Sequence, residues 1–195
     1  MDRTRATRQA LVAAARPLFA DRGYAAVPTE EIVAAAGLTR GALRHHFGDK
    51  SGLFQTVFEQ VESEVNDRVT AALAGADDAW TAAVAALAAF LDACEDPEVV
   101  RIALTDAPAV LGWETWRAIE ARYGLGLVTA GLDQAMAEGV IVRQPVTVLA
   151  HLVLGAAIEA ALLVGRVPEP GRAAARAEAE QTLLALLGGL RTARE

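Results

Sequence analysis

Residues 28–50 read PTEEIVAAAGLTRGALRHHFGDK, a stretch that divides into two short helical patterns around a tight turn. Thr29 is placed to cap the first helix, its hydroxyl accepting an orphan backbone N–H, and Glu30 and Glu31 set negative charge against the positive end of the helix dipole. Ile32, Val33 and Ala36 supply an inward face. Gly37 stands where a helix stops in the left-handed conformation, Leu38 follows as a hydrophobic plug, and Thr39 caps a second helix. A turn of so few residues is what a helix-turn-helix requires.

The second helix spans residues 40–47. Projected at roughly 100° per residue, it places Leu43 and Phe47 about 40° apart on a flank that can pack against a core. Arg40, Gly41, Arg44 and His45 cover an adjoining arc of about 140°. Arginine can fork onto guanine edges or phosphates, histidine can donate to phosphate, and Gly41 lets a duplex approach the backbone closely. A solvated basic face on an ordinary helical hairpin has the same pattern, so spacing alone leaves DNA contact and plain solvation both open.

Three pieces of the N-terminal region, ARPLFADRGY (15–24), TEEIVAAAGLTRGALRHHFGDK (29–50) and SGLF (51–54), together resemble the DNA-binding domain of the TetR family of transcriptional regulators. The resemblance runs from Leu11 to Phe58, about a quarter of the chain. It implies that the second helix of the motif enters the major groove. It also implies phosphate or base contacts from Thr29, Thr39, Arg40, Gly41, His45, His46 and Lys50. Arg44 occupies a position where many members carry tyrosine, which exchanges an aromatic hydroxyl for a permanent charge.

Composition agrees with a helical protein. The chain has 195 residues, 53% of them hydrophobic, enough for a substantial core. Alanine-rich segments at helical spacing fill most of its length, strand-forming runs are scarce, and the fold expected is all-α. The net charge of −7 is unevenly spread. Residues 1–52 carry eight Lys or Arg against five Asp or Glu, and the remainder carries ten against twenty. The basic excess coincides with the motif, an arrangement that steers one surface toward phosphates. The expected organisation is a three-helix DNA-binding domain over residues 1–52 and a larger helical effector-binding and dimerisation domain over 53–195. One cysteine, Cys94, excludes an internal disulfide framework, no signal peptide precedes the first helix, and a cytoplasmic location is the default expectation.

In chain order, residues 1–8 read as a loose basic arm and 8–21 as a helix with Leu11, Ala15, Leu18 and Phe19 on one stripe. A long helix over 50–74 carries Leu53, Val57, Val61, Val65, Val69 and Leu73 at intervals of four and is read as the mechanical link between the halves. Its N-terminus, with Lys50, is a place where phosphate would be favoured. Asp77 or Asp78 can cap a helix running to Cys94, and Pro97 opens another. Beyond a break at 105–108 a longer helix over 112–138 is expected to bend near Gly124 and Gly126. The last two helices, 146–164 and 172–187, are separated by GRVPEPG. The first of them is apolar nearly all round. It holds His151 and Glu159 and lacks a flanking positive cluster, so it reads as a helix covered by a second copy rather than as a membrane span. Homodimerisation through these two helices is therefore expected, with two recognition helices matched to half-sites on double-stranded DNA.

No arrangement of nucleophile and base, no phosphate-cradling loop and no metal-ligand spacing stands out, so no catalytic residue, metal or cofactor is assigned. His45 and His46 are adjacent and cannot face one metal from the same side of a helix. His151 and Glu159 read either as a polar core pair or as partners in a ligand pocket. Phe90, Trp113, Trp116 and Tyr123 hold much of the aromatic area outside the motif and are candidates for lining an effector site, although aromatics at helical spacing also build plain cores. The expected function is a dimeric repressor released from its operator by a small hydrophobic effector, and not an enzyme. A helical-bundle enzyme or small-molecule binder with a merely structural motif, or an adaptor acting through protein contacts, are the competing classes.

Overall fold

The computed structural model describes residues 3–192. It is 79% helical and, among the described residues, contains no strand beyond an isolated antiparallel bridge between Ile141 and Arg191. The chain divides into two compact units, Met1–Glu62 with Pro97–Arg117, and Ser63–Asp96 with Ala118–Glu195. The division between the units falls inside the long helix Lys50–Leu73, and residues 97–117 group with the N-terminal unit.

The first unit opens with α1 (Arg3–Arg22), which begins well ahead of the helix expected from the apolar stripe. Within the described residues the supposed basic arm is helix; residues 1 and 2 lie outside them. Helices α2 (Thr29–Ala35), α3 (Arg40–Phe47) and α4 (Lys50–Leu73) follow. Leu11, Ala15, Phe19, Ile32, Phe54 and Phe58 lose essentially all solvent contact between them, and Phe19 and Tyr24 meet the Phe54 ring at centroid distances of 5.3 and 5.2 Å. Three-helix closure follows from the apolar stripe of each element facing the same interior.

The turn between α2 and α3 closes as a Schellman motif. Leu38 N–H bonds to Val33 O at 2.8 Å and Gly37 N–H to Ala34 O at 3.1 Å, with Gly37 at φ +64°. Thr39 caps α3 as expected, its hydroxyl accepting from Ala42 N–H at 3.2 Å. The cap of α2 differs from expectation. Pro28 occupies that position at φ −75°, ψ 149°, its carbonyl accepting from Glu31 N–H, and Thr29 is the first residue inside the helix. Proline fixes the extended geometry a cap needs, and the threonine side chain is not required for it.

Residues 97–111 form one helical run, α6 (Pro97–Val99), a π-helical stretch Val100–Asp106 and α7 (Ala107–Leu111), ended by Gly112. The break expected at 105–108 is absent, because a widened turn relieves the clash between a proline ring and the carbonyl one turn back, which lets Pro108 ride inside the run. This run is fastened to the start of the motif. Arg16 forks onto Glu98 through two bonds of 2.8 Å, and Tyr24 N–H donates to Asp106 Oδ2 at 2.6 Å.

In the second unit α5 (Ala79–Ala93) starts at Asp78, which accepts from Thr81 N–H at 2.8 Å. This capping bond holds the Asp78 carboxyl below its usual range. The helix α8 (Trp113–Glu120) begins in the first unit and ends in the second, where it runs through a π turn, Ala121–Leu125, into α9 (Gly126–Ala137). There a Cβ on Gly124 would stand 3.0 Å from Leu154 Cδ1. Helices α10 (Val146–Gly165) and α11 (Arg172–Gly188) pair, and Leu87, Leu91, Ala160 and Leu183 join α5 to both. Arg176 ties α11 to α5, reaching Asp92 at 2.7 Å while also holding Glu180 at 2.6 Å. Val142 N–H to Leu190 O and Thr192 N–H to Val140 O pin the end of α11 to the loop before α10. By length and composition α10 could cross a membrane; 33% of its most apolar window is buried within the chain.

Candidate nucleic-acid interface

Helix α3 is eight residues long and is held from beneath. Leu43 is buried at 2% exposure, and Phe47 lies half-buried with the Arg8 guanidinium 4.4 Å from its ring centre. The opposite flank is open: Thr39, Arg40, Gly41, Arg44 and His45 are all exposed. The capping Thr39 and the four residues that helical projection placed on the free arc therefore share one accessible face about 12 Å long, a length and shape that a major groove admits. His46 is half-buried, its ring 5.0 Å from that of His45.

Charge on this face is not uniform. Arg40 forms an ion pair with Glu30, both side chains exposed, so part of its charge is already answered within the chain. No partner of this kind is seen for Arg44 or His45 among the described residues, which makes Arg44 the guanidinium most open to an incoming phosphate or base. Arg22 similarly pairs with Glu31 at 2.6 Å on the edge of α2.

Lys50 departs from the expectation of a free phosphate-reaching amine. Its ammonium donates to Tyr24 O and Val27 O, each at 2.9 Å, and lies 4.0 Å from the centre of the Tyr24 ring. Two of its three donors are thus committed to bracing the loop before α2, and one remains. Burial draws its pKa below the usual lysine range. Burial, and then the Asp49 carboxylate, raise the Tyr24 phenol, with a bond to Ser51 opposing them. Thr29 is half-buried at the first turn of α2.

Two supporting residues carry no signal in the spacing that defines the motif. Arg8 donates to His46 O and to Thr56 Oγ1, each at 3.1 Å, and so fixes the last turn of α3 to both α1 and α4. Gly52 is required by a close approach: a Cβ there would stand 2.1 Å from Phe47 O. Its N–H caps back onto Asp49 Oδ1 at 2.9 Å, and an acidic residue three before a helical N–H is the one local sign that could have marked the position.

The residues proposed for an effector are dispersed. Trp113 is 66% exposed and Trp116 is buried at 1%, their rings 5.0 Å apart, and the Trp116 Nε1–H has no hydrogen-bond partner. Phe90 is half-buried against Leu87 and Leu91, and Tyr123 is half-buried in the π turn. His151 and Glu159 are exposed on α10 and so do not form a core pair within the chain: the inward arc of that helix is taken by Leu149, Leu154, Ile158 and Ala161. A separate groove of about 210 Å³ opens along α5, α10 and α11, lined by Leu87, Leu152, Ala156, Leu183, Leu186 and their apolar neighbours. None of the six expected residues lines it. Among the described residues no cluster of His, Cys, Asp and Glu could hold a metal ion.

Comparison with known proteins meets this geometry at both ends of the chain. Residues 11–57 match the family described as bacterial regulatory proteins, tetR family, and residues 80–190 match the tetracyclin repressor-like C-terminal domain. A crystal structure of a TetR-family transcriptional regulator from Pectobacterium atrosepticum is 34% identical, covers 100% of both chains and superposes with a TM-score of 0.85. The transposon Tn10 TetC protein of Escherichia coli is 28% identical over 151 residues, 77% of this chain and 76% of that protein. The HTH-type transcriptional regulator AcrR of Shigella flexneri is 43% identical over 61 residues, 31% of this chain and 28% of its own.

Proposed function

The chain belongs to the TetR family of transcriptional regulators, and on that premise we propose that it is a homodimeric repressor that reads double-stranded DNA with α3 and is released by a small apolar effector. The family is one of regulators rather than enzymes. The observation that carries the proposal is the open flank of α3, where Thr39, Arg40, Gly41, Arg44 and His45 stand exposed over a buried Leu43. Arg44 and Arg40 supply base-edge or phosphate contacts, His45 and His46 donate to phosphate, and Gly41 admits the sugar-phosphate backbone. Thr29 at the first turn of α2 and the remaining Lys50 donor add phosphate contacts at the edges.

Two copies meet through α10 and α11. Val148, Leu152, Leu163 and Leu186 are 59, 66, 55 and 64% exposed, an apolar load that a lone chain would leave in water. Pairing covers them and places two α3 helices against successive half-sites. An effector that binds one arrangement of the helical unit better than the other shifts the population away from the half-site spacing that DNA requires. Trp113 and Trp116 remain candidates for contacting it, and an apolar ligand with a hydrogen-bond acceptor suits the unpartnered Trp116 Nε1–H. The site of action is the cytoplasm, where the DNA is.

The test is selection of bound fragments from genomic DNA, followed by affinity measurement across salt concentrations and a screen for compounds that release the fragment. A log–log salt slope of several units is expected from phosphate-led binding. Binding that is indifferent to salt, or no fragment enriched by a dimeric sample, refutes the proposal.

A further inference from the structure

Helix α10 presents Thr147, Val148, His151, Leu152, Glu159 and Leu163 to solvent. On a helical projection these fall within an arc of about 160°. The order along the face is informative. The large apolar side chains Val148 and Leu163 lie toward its two ends, Leu152 flanks its centre, and the small residues Gly155 and Ala156 lie at its middle. His151 and Glu159 stand four residues to either side of Gly155, on that same face. Neither is in an ion pair within the chain among the described residues, and Glu159 sits inside the apolar stripe, where a second apolar surface would leave its carboxylate without a partner.

We propose that two copies of this chain cross at Gly155, with the α10 helices antiparallel about the two-fold axis, so that His151 of each copy meets the partner's Glu159. An isologous contact between antiparallel helices matches each residue with the one equally far on the other side of the axis. Centred on Gly155, that rule sets His151 against Glu159 twice and brings Val148 to the Leu162 and Leu163 turn. A parallel alignment would set Glu159 against itself, carboxylate to carboxylate. Charge complementarity therefore selects both the antiparallel sense and the crossing point. Gly155 supplies the second reason. A Cβ there would meet nothing within 4 Å in its own chain, so the packing of its own unit does not call for glycine, which is unfavourable inside a helix. A small residue at a crossing lets two helix axes approach below the usual separation of about 8–10 Å. The groove lined by Leu152, Ala156 and Leu186 continues the same surface and takes the partner's flanking side chains. This inference rests on the two-copy assembly proposed above.

The experiment combines sedimentation velocity with oxidative cross-linking of variants that each carry one added cysteine, the unsubstituted protein with its buried Cys94 serving as control. Gly155→Cys chains are expected to link to themselves, since the crossing brings their Cα atoms within about 7 Å. His151→Cys alone and Glu159→Cys alone stay unlinked, while a mixture of the two yields the linked pair. An unsubstituted protein that sediments as a monomer overturns the two-copy assembly itself. A dimer in which Gly155→Cys does not link, or in which His151→Cys links to itself, overturns the crossing and leaves the assembly standing. The charge arm uses His151→Glu, which raises the dimer dissociation constant roughly tenfold. Adding Glu159→Lys returns it to within about threefold of the original. No rescue, in a dimer that still links at position 155, removes the His151–Glu159 pair from the proposal.

Discussion

Replacing Gly52 by alanine isolates the contact that seats the end of α3 on α4. The added Cβ would stand 2.1 Å from Phe47 O and 3.2 Å from Phe47 C, both of them backbone atoms that cannot swing aside as a side chain can. Reaching an ordinary van der Waals separation requires a backbone displacement of about 1 Å or more. The end of α3 resists it through the Arg8 bond to His46 O and the Gly48 N–H bond to Arg44 O at 2.9 Å. Overpacking of this kind costs about 1–3 kcal/mol. Alanine in a helix recovers up to about 1 kcal/mol relative to glycine. With the full recovery the net is destabilisation of roughly 0–2 kcal/mol, a fall in Tm of up to about 8 °C for a chain of this size. The control is Gly131→Ala on α9, where a Cβ meets nothing within 4 Å and only the propensity gain remains. Thermal unfolding of both variants, with titration of a selected DNA fragment, makes the comparison. If Gly52→Ala matches Gly131→Ala in stability and keeps full DNA affinity, the close approach does not position the recognition helix.

Removing Arg8 by alanine takes away two hydrogen bonds and the stacking on Phe47, all at an exposed site, and is expected to cost about 1 kcal/mol. Hydrogen exchange should show faster opening of the last turn of α3, and Arg8→Lys should restore little because the two acceptors need a planar fork. Glu30→Gln frees Arg40 from its ion pair and should tighten DNA binding at low salt, whereas Arg44→Ala should weaken it and reduce the salt slope by about one. An unchanged slope in Arg44→Ala argues against contact between this side chain and phosphate. The Tyr24–Lys50 contact gives a pH signature above neutrality. Lys50 has a folded pKa below its unfolded value, so the unfolded chain holds more protons and stability rises with pH through that interval. Tyr24 has a folded pKa above its unfolded value, so its contribution is complete below about pH 10 and is lost as pH climbs toward the folded value. The two slopes oppose each other. Tyr24→Phe should therefore turn the dependence of Tm upward between about pH 9.5 and 11 relative to the parent protein, and a downward turn would contradict the assignment.

What was legible in the sequence was whatever short-range geometry controls. The stop at Gly37, the plug at Leu38 and the cap at Thr39 are each decided by bonds spanning a few residues, so their spelling in the chain was sufficient. The apolar face of α3 was readable for the same reason, since helical periodicity is local. Residue type and spacing could not disclose which partner a long side chain finds across the fold. Lys50 serves the Tyr24 and Val27 carbonyls, Arg8 reaches a carbonyl 38 residues away, and residues 97–111 join the N-terminal unit through Arg16–Glu98 and Tyr24–Asp106, both 82 residues apart. His151 and Glu159 likewise share a helix face whose exposure depends on where α5, α9 and α11 pack against α10. Local bonds wrote the shape of the reading head into the order of its residues, and only the meeting of distant segments decided which of its charged groups are left open to face DNA.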